Sequence, residues 1–324
     1  MPLSKRALDT RSARLRPAIA EQSTAVRYSS GVAATGRVVL YVLWNLLMVP
    51  VQALAVLVST RLATRIPVIY HRNCLRAMGT SVSRHGRVER SPSTLYVANH
   101  SSYLDITILG SLLPVGFVAK SEIRDWPIFG ILARLQRSVF VDRRPANAKS
   151  HAEEIADRLN AGDSLVLFPE GTSGEGNHVL RFKSALFSVA QIEVGGRPVT
   201  VQPVTVAYSR LDGMPMGRHL RPFFTWFGDM DIMSHMGQMF GMGRLGVDVI
   251  FHEPVRFDAF GSRKAMSDYC AAVIAQGLSD ALSGRLDPKR KSRARQLLER
   301  ARERAAAKLK PKQQPTDTAG AAPS

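Results

Sequence analysis

Between Arg37 and Arg61 the chain passes through 21 residues without a charge, VVLYVLWNLLMVPVQALAVLV, Val38 to Val58. A segment this apolar has to be covered, either by protein or by lipid. As a helix it would reach ~30 Å, about the thickness of a bilayer core. The polar and basic stretch before it, and the lack of a small-residue cleavage site after it, do not fit a cleaved signal peptide. Asn45, Pro50 and Gln52 interrupt the apolar run, and Pro50 would kink the helix or divide it. A buried core helix is one reading. The other two place the chain at a membrane, as a kinked span or as a re-entrant or interfacial hairpin with both ends on one side. Membrane association is the reading adopted. Arg61, Arg65, Arg72 and Arg76 come after the segment, against Arg27 and Arg37 before it, which favours the cytoplasm for the C-terminal side.

The net charge of +18 is concentrated at the two ends. Residues 1–37 hold seven Lys/Arg against two acids, and residues 285–324 hold twelve against four. Basic ends suit anionic lipid head groups or nucleic acid. The basic residues are not interleaved with aromatics, and only 7% of residues are aromatic, so stacking platforms are sparse and no nucleic acid is expected. An anionic membrane surface is the expected partner. Cys74 and Cys270 match no metal or redox spacing and read as buried free thiols.

The chain divides into four parts: a basic flexible arm over 1–35, a membrane segment over 36–61, a folded domain over 62–284, and a basic C-terminal helix with a disordered tail over 285–324. Residues 61–80 read as an amphipathic helix with Ile66, Val68, Ile69 and Leu75 available for one face. TLYVANH, PVGFVAK, RSVFVDR, SLVLFPEGT, VTVQPVTVAY and RLGVDVIFHEPV read as strands. SYLDITILGSLL reads as a helix with Ser101 or Ser102 as its cap. NAKSHAEEIADRLNAGD, FKSALFSVAQIEV and residues 262–283 also read as helices. This alternation predicts an α/β domain with a largely parallel sheet flanked by helices, preceded by a membrane-associated helix or helical hairpin. No Walker A, Rossmann glycine pattern or metal-ligand spacing is present. Met230, Met233, Met236, Met239 and Met242 recur every third residue and read as a packing stripe, with reception of an acyl chain as the functional alternative.

In LYVANHSSYLD, His100 follows a strand and Asp105 comes five residues later. On one helix they would stand roughly 140° apart, so His100 belongs before the helix and Asp105 in its first turn. At the carboxyl edge of an α/β sheet Asp105 can accept from one ring nitrogen, leaving the other as a base. That is a triad without a nucleophile, and the missing hydroxyl can belong to the substrate. LVLFPEGTSGEG runs a strand into a Gly-containing turn whose amides can bind an anion, with Glu170 able to reach a hydroxyl. Between the two, SVFVDRR offers an arginine suited to a phosphate or carboxylate. A serine hydrolase would need a G-x-S-x-G elbow, which is missing. A non-catalytic basic membrane adaptor would not need His100, Asp105 and Glu170.

These stretches in this order resemble the glycerolipid acyltransferases, which include 1-acylglycerol-3-phosphate acyltransferases. His100 to Asp105 resembles the H-x-x-x-x-D motif, VFVDR the second motif, FPEGTS the third and VQPVTVAY, Val201 to Tyr208, the fourth. The resemblance spans about 60–260. It implies the fold of that family and direct transfer of a fatty acyl group from acyl-carrier protein or acyl-CoA, with no other cofactor and no metal, to a lysolipid hydroxyl. His100 is then the base, oriented by Asp105. Arg143, Glu170, Gly171, Thr172, Ser173 and Lys183 hold the acceptor head group. The resemblance further implies a bacterial inner-membrane enzyme with its catalytic domain facing the cytoplasm. Members acting on lysophosphatidic acid commonly carry Arg where this chain has Ser173. Lysophosphatidic acid ranks first as acceptor on family frequency, with lyso-ornithine lipid next because EGTSGEGNHVLRFKSALF and WFGDMD look like that bacterial branch.

Overall fold

The computed structural model describes residues 30–141, 148–286 and 300. Most of the expected arm, most of the expected C-terminal helix and tail, and Arg143 lie outside these residues. Helix α1 (Gly31–Val58) and helix α2 (Thr60–Ala77) form a hairpin ahead of the sheet. Next come β1 (Thr80–His85), β2 (Leu95–Ala98), α3 (Leu104–Leu112), β3 (Gly116–Lys120), α4 (Phe129–Leu135), β4 (Val139–Val141), α5 (Ala148–Asn160) and β5 (Leu165–Leu167). A two-stranded hairpin, β6 (Glu193–Val194) and β7 (Arg197–Pro198), precedes β8 (Val201–Leu211) and β9 (Met214–Pro215). Helix α6 (Ile232–Gly241), β10 (Leu245–Phe251) and α7 (Arg263–Leu282) complete the described chain.

The main sheet runs β1-β10-β8-β2-β5-β3-β4, with β9 paired to β8. Its pairings are parallel except β8 with β10 and β8 with β9. The period-2 alternation of strands sets the two cores. Tyr96 and Ala98 face one layer with α2, α3 and α6, while Leu95 and Val97 face the other with α5 and α7. Cys74 and Cys270 are buried free thiols, one in each layer.

Three local expectations differ from the elements that form. SVSRH has no apolar run, yet it becomes β1 because β10 offers it a parallel edge, Thr80 opposite Leu245. FKSALFSVAQIEV is not an α-helix. Ser184–Gln191 winds as 3₁₀ turns with Phe187, Val189 and Ala190 pinned in the core. The chain then reverses through Gly195 and Gly196, both at positive φ, into β6 and β7. On α2 the buried stripe is Ala63, Pro67, His71, Cys74 and Leu75, whereas Ile69 is exposed. Gly110 of α3 makes room for His71, since a Cβ there would come within 2.4 Å of the imidazole.

Helix α1 is inside out by the standards of a water-soluble helix. Ala34, Arg37, Tyr41, Trp44, Met48, Gln52 and Ala55 recur at three- and four-residue steps, with Asn45 beside Trp44, and face the domain. Arg37 donates to the carbonyls of Phe240 and Met242 at the end of α6, where a cation complements the helix dipole. The Trp44 indole donates to Tyr70 O at 3.1 Å, and the Tyr70 hydroxyl donates to Asn45 Oδ1 at 2.7 Å. Leu40, Leu43, Leu46, Leu47, Leu54 and Leu57 are exposed. By length and composition α1 is apolar enough to cross a membrane, and only 11% of its most apolar 18-residue window is buried.

Pro67 lacks an N–H, so the carbonyl of Ala63 loses its donor four residues on. Gln52 of α1 supplies one: its Nε2 donates to Ala63 O at 2.9 Å and to Leu135 O at 2.8 Å. Gln52→Leu should therefore weaken the hairpin by about 1–3 kcal/mol, the penalty for a buried acceptor left unpaired. Thermal unfolding in mild detergent would read this as a Tm lowered by several degrees. An unchanged Tm would mean the carbonyl has another donor.

Candidate active site

The carboxyl ends of β2 and β5 lie side by side, since the two strands are parallel and in register from Leu95 with Leu165 to Val97 with Leu167. The loops leaving both strands therefore emerge at one edge, where α/β sheets place their ligands. Asn99 fixes the exit of β2: its side chain donates to Val206 O at 2.9 Å and accepts from Val206 N at 2.8 Å. The next residue is His100.

The Nδ1 of His100 lies 2.9 Å from Asp105 Oδ2. The turn Ser101–Tyr103 brings Asp105 into the first turn of α3, from which its carboxylate points back along the chain. Oδ2 also accepts from the amides of Ser101, at 2.7 Å, and Ser102, at 2.9 Å. The expected cap is thus reversed: Asp105 satisfies the serine amides, and the cap position of α3 is Tyr103 with no side-chain bond. Oδ1 accepts from the Tyr208 hydroxyl at 2.7 Å. Asp105 has no exposed surface. Nδ1 accordingly carries the proton that Asp105 accepts, and Nε2 is left with its lone pair. No described residue hydrogen-bonds to Nε2. The imidazole, 21% exposed, stacks on Phe168, with ring centroids 4.2 Å apart. Phe168 in turn stacks on Phe117.

The turn after β5 is tied to the same histidine, because Gly174 N donates to His100 O at 2.9 Å. Gly171 sits at φ +70, and Gly171 N donates to Phe168 O. Lys183 is held by its own amide on Pro169 O and lays its ammonium across Gly171. A Cβ at Gly171 would come 2.7 Å from Nζ. Thr172 is exposed and Ser173 half-buried. Glu170 is buried, and neither carboxyl oxygen meets hydrogen-bond geometry with a described residue. Burial pushes its carboxyl up to about 8; the neighbouring His100 and Leu180 amides pull it down, and the charge of Asp105 adds to the rise. The structure therefore brings together His100, Asp105, Glu170, Gly171, Thr172, Ser173 and Lys183. The VFVDR stretch leads toward Arg143, which lies outside the described residues.

Three contributors were not singled out from the sequence: Asn99, Phe168 and Tyr208. Asn99 adjoins the first motif, Phe168 opens the third and Tyr208 closes the fourth. The pairing of β2 with β8 gives Asn99 and Tyr208 their purpose, and that of β2 with β5 brings Phe168 under the imidazole. The methionine stripe divides: Met239 and Met242 are core, Met236 packs partly against it, and Met233 is exposed. Tyr103 donates toward His235 Nδ1 of α6 at 3.0 Å and lies against Trp226, which meets Trp126 edge-on. These rings form an apolar flank beside the histidine. Among the described residues no group of His, Cys, Asp and Glu is arranged to hold a metal.

A histidine held on a buried aspartate, beside a glycine turn with a lysine across it, has the geometry of a general base with no protein nucleophile on it among the described residues. The sequence model of the Acyltransferase family matches residues 80–207, from the start of β1 to the residue before Tyr208. Over 248 residues the chain is 42% identical to the lyso-ornithine lipid O-acyltransferase of Brucella abortus, covering 75% of this chain and 93% of that one. It is 41% identical over 250 residues to the enzyme of the same description from Rhizobium meliloti, covering 76% and 86%. The crystal structure of the 1-acyl-sn-glycerophosphate acyltransferase of Thermotoga maritima superposes with a TM-score of 0.57, at 18% identity, over 77% of this chain and 95% of that one. The fold is therefore shared with that structure. The chain belongs to the glycerolipid acyltransferase family and is an acyltransferase of lysolipids.

Glu170 has a measurable consequence for stability. The folded protein holds its proton up to about pH 8, whereas an unfolded chain releases it near 4.5. Wild-type stability should fall as pH rises through that window. Glu170→Gln removes the titration, so its stability relative to wild type should grow by on the order of a few kcal/mol from pH ~5 to pH ~8, then level off. Chemical denaturation at several pH values checks this; a constant difference would mean that the carboxyl ionises in the fold.

Proposed function

We propose that this chain transfers a fatty acyl group from an acyl-carrier protein or CoA thioester to the hydroxyl of lyso-ornithine lipid. The observation that carries the mechanism is the hydrogen bond of His100 Nδ1 to a buried Asp105, with no hydroxyl of a described residue on Nε2. Nε2 removes the proton from the acceptor hydroxyl as that oxygen attacks the thioester carbonyl. The tetrahedral intermediate collapses, the carbon–sulfur bond breaks, and the imidazolium returns the proton to the leaving thiolate. No acyl-enzyme forms. Lys183, Arg143 and the turn Glu170–Ser173 hold the head group. Two points support lyso-ornithine lipid over lysophosphatidic acid as acceptor. The relatives that match over most of their length carry that description. Ser173 also lacks the fork of donors with which an arginine would clamp a phosphomonoester.

The seating of α1 supports an interfacial hairpin rather than a span. Its attachments to the domain run from Ser30 to Gln52, about 33 Å of helix. A helix flanked by its own domain over that length cannot thread a bilayer while the domain stays in water. Leu40, Leu43, Leu46, Leu47, Leu54 and Leu57, with Leu62 and Ile69 of α2 and Ile128 and Ile131 beside α4, give an apolar surface for one leaflet. An anionic cytoplasmic face of the bacterial inner membrane suits the basic residues around it.

Membranes containing the protein, incubated with labelled acyl-carrier protein or acyl-CoA and either acceptor, should form product from lyso-ornithine lipid. Product from lysophosphatidic acid alone would overturn the acceptor assignment. His100→Ala should retain less than about a hundredth of wild-type activity. Ser173→Arg should raise the relative rate on lysophosphatidic acid by about tenfold. Leu43→Glu combined with Leu47→Glu should abolish co-sedimentation with anionic vesicles; unchanged binding would argue against the hairpin as the seat.

A further inference from the structure

Asp105 needs a donor on each oxygen, because it has no exposed surface. Oδ2 has three, from His100 Nδ1 and the amides of Ser101 and Ser102. Oδ1 has one among the described residues, the Tyr208 hydroxyl at 2.7 Å. Tyr208 has no exposed surface and comes from β8, at the far end of the fourth motif. Its backbone is anchored independently, since Arg221 Nε donates to Tyr208 O at 2.9 Å. We propose that Tyr208 is a positioning residue for the reaction: its hydroxyl holds the Asp105 carboxylate aimed at Nδ1, so that His100 keeps Nε2 turned to the substrate. The proposal rests on the reading of His100 as the base.

The surroundings leave this task to Tyr208. Glu170 is the other buried carboxyl near Asp105, but neither of its oxygens makes a hydrogen bond to a described residue, Asp105 included. Tyr103 directs its hydroxyl to His235. Lys183 lies over Gly171, and the Arg221 guanidinium is committed to Tyr208 O, Met216 O and Asn177. On the neighbouring strand Asp248 is engaged with His85, Ser209 and Arg210 on the opposite face of the sheet. Burial, and then the charge of Asp105, hold the Tyr208 phenol well above its ordinary range. It is thus a donor at every working pH. Without it Oδ1 becomes a buried carboxylate oxygen with no partner among the described residues, and such an oxygen attracts a proton more strongly. Asp105 would then lean more heavily on the Nδ1 proton, which makes a protonated imidazole easier to form there.

The test is the pH dependence of kcat and KM in Tyr208→Phe, which keeps the ring in the core. Expected are an unchanged KM for the lysolipid, a kcat at neutral pH lowered about 10- to 100-fold, and an acid limb moved about one unit to higher pH. A purely structural role would lower yield or Tm and leave the limb in place; that result, or full activity at every pH, overturns the proposal. Where the phenylalanine variant does not fold, a fluorinated tyrosine at position 208 retains the hydroxyl as a stronger donor. It should move the acid limb to lower pH, and an unmoved limb again overturns the proposal. His100→Ala and Asp105→Asn, assayed alongside, separate the two readings. If they retain activity, the base assignment and this proposal both fail. If they are inactive while the limb in the position-208 variants stays fixed, only the role of Tyr208 fails.

Discussion

A carboxylate with no access to water has to be matched donor for donor, and Asp105 is where separate parts of this chain meet that demand. The exit of β2 supplies the imidazole, the turn before α3 supplies two amides, and β8 supplies a phenol from more than a hundred residues away. Each contact also fixes an element. Asn99 locks β2 to β8 one residue before the histidine, and Gly174 ties the turn after β5 to the histidine's carbonyl. The edge of the sheet is rigid because a buried charge would otherwise be unpaired, at a cost of several kcal/mol.

The helical hairpin packs on α3 and α6 over one face of the sheet, and here the polarity of the protein inverts. Arg37, Asn45 and Gln52 turn inward and find carbonyls or a hydroxyl, while the leucines turn outward. In water this arrangement would be unfavourable by roughly 25 cal/mol for each Å² of apolar surface left exposed. Against lipid the sign reverses. The acceptor of a lysolipid acyltransferase is amphipathic, so a site beside an apolar face receives it without drawing its chain through water. The rings of Tyr103, Trp226 and Trp126 continue that apolar character beside His100.

The α/β class and largely parallel sheet were legible because strands covered on both faces read as short continuous apolar runs. The contact of His100 with Asp105 and the glycine turn were legible because they are local in sequence: each motif lies within a few residues. The rest depended on contacts between distant segments. Nothing in SVSRH announces an edge strand until β10 lies beside it, and nothing in FKSALFSVAQIEV shows that the core and the Gly195–Gly196 turn will take the chain away from an α-helix. Asn45 and Gln52 look in sequence like flaws in a membrane segment. In the fold they are the residues that dock it.

By itself the sequence determined the class of the domain, the order of its motifs and the pairing of His100 with Asp105, since these are set by periodicity and short spacings; the family followed from the resemblance of those motifs to known members. Only the tertiary structure decided which face of α1 meets the domain, where the carbonyl freed by Pro67 finds its donor, and that Tyr208 completes the shell of Asp105. Those are matters of which groups are removed from water together. Burial is a property of the assembled layers, and no stretch of sequence carries it alone.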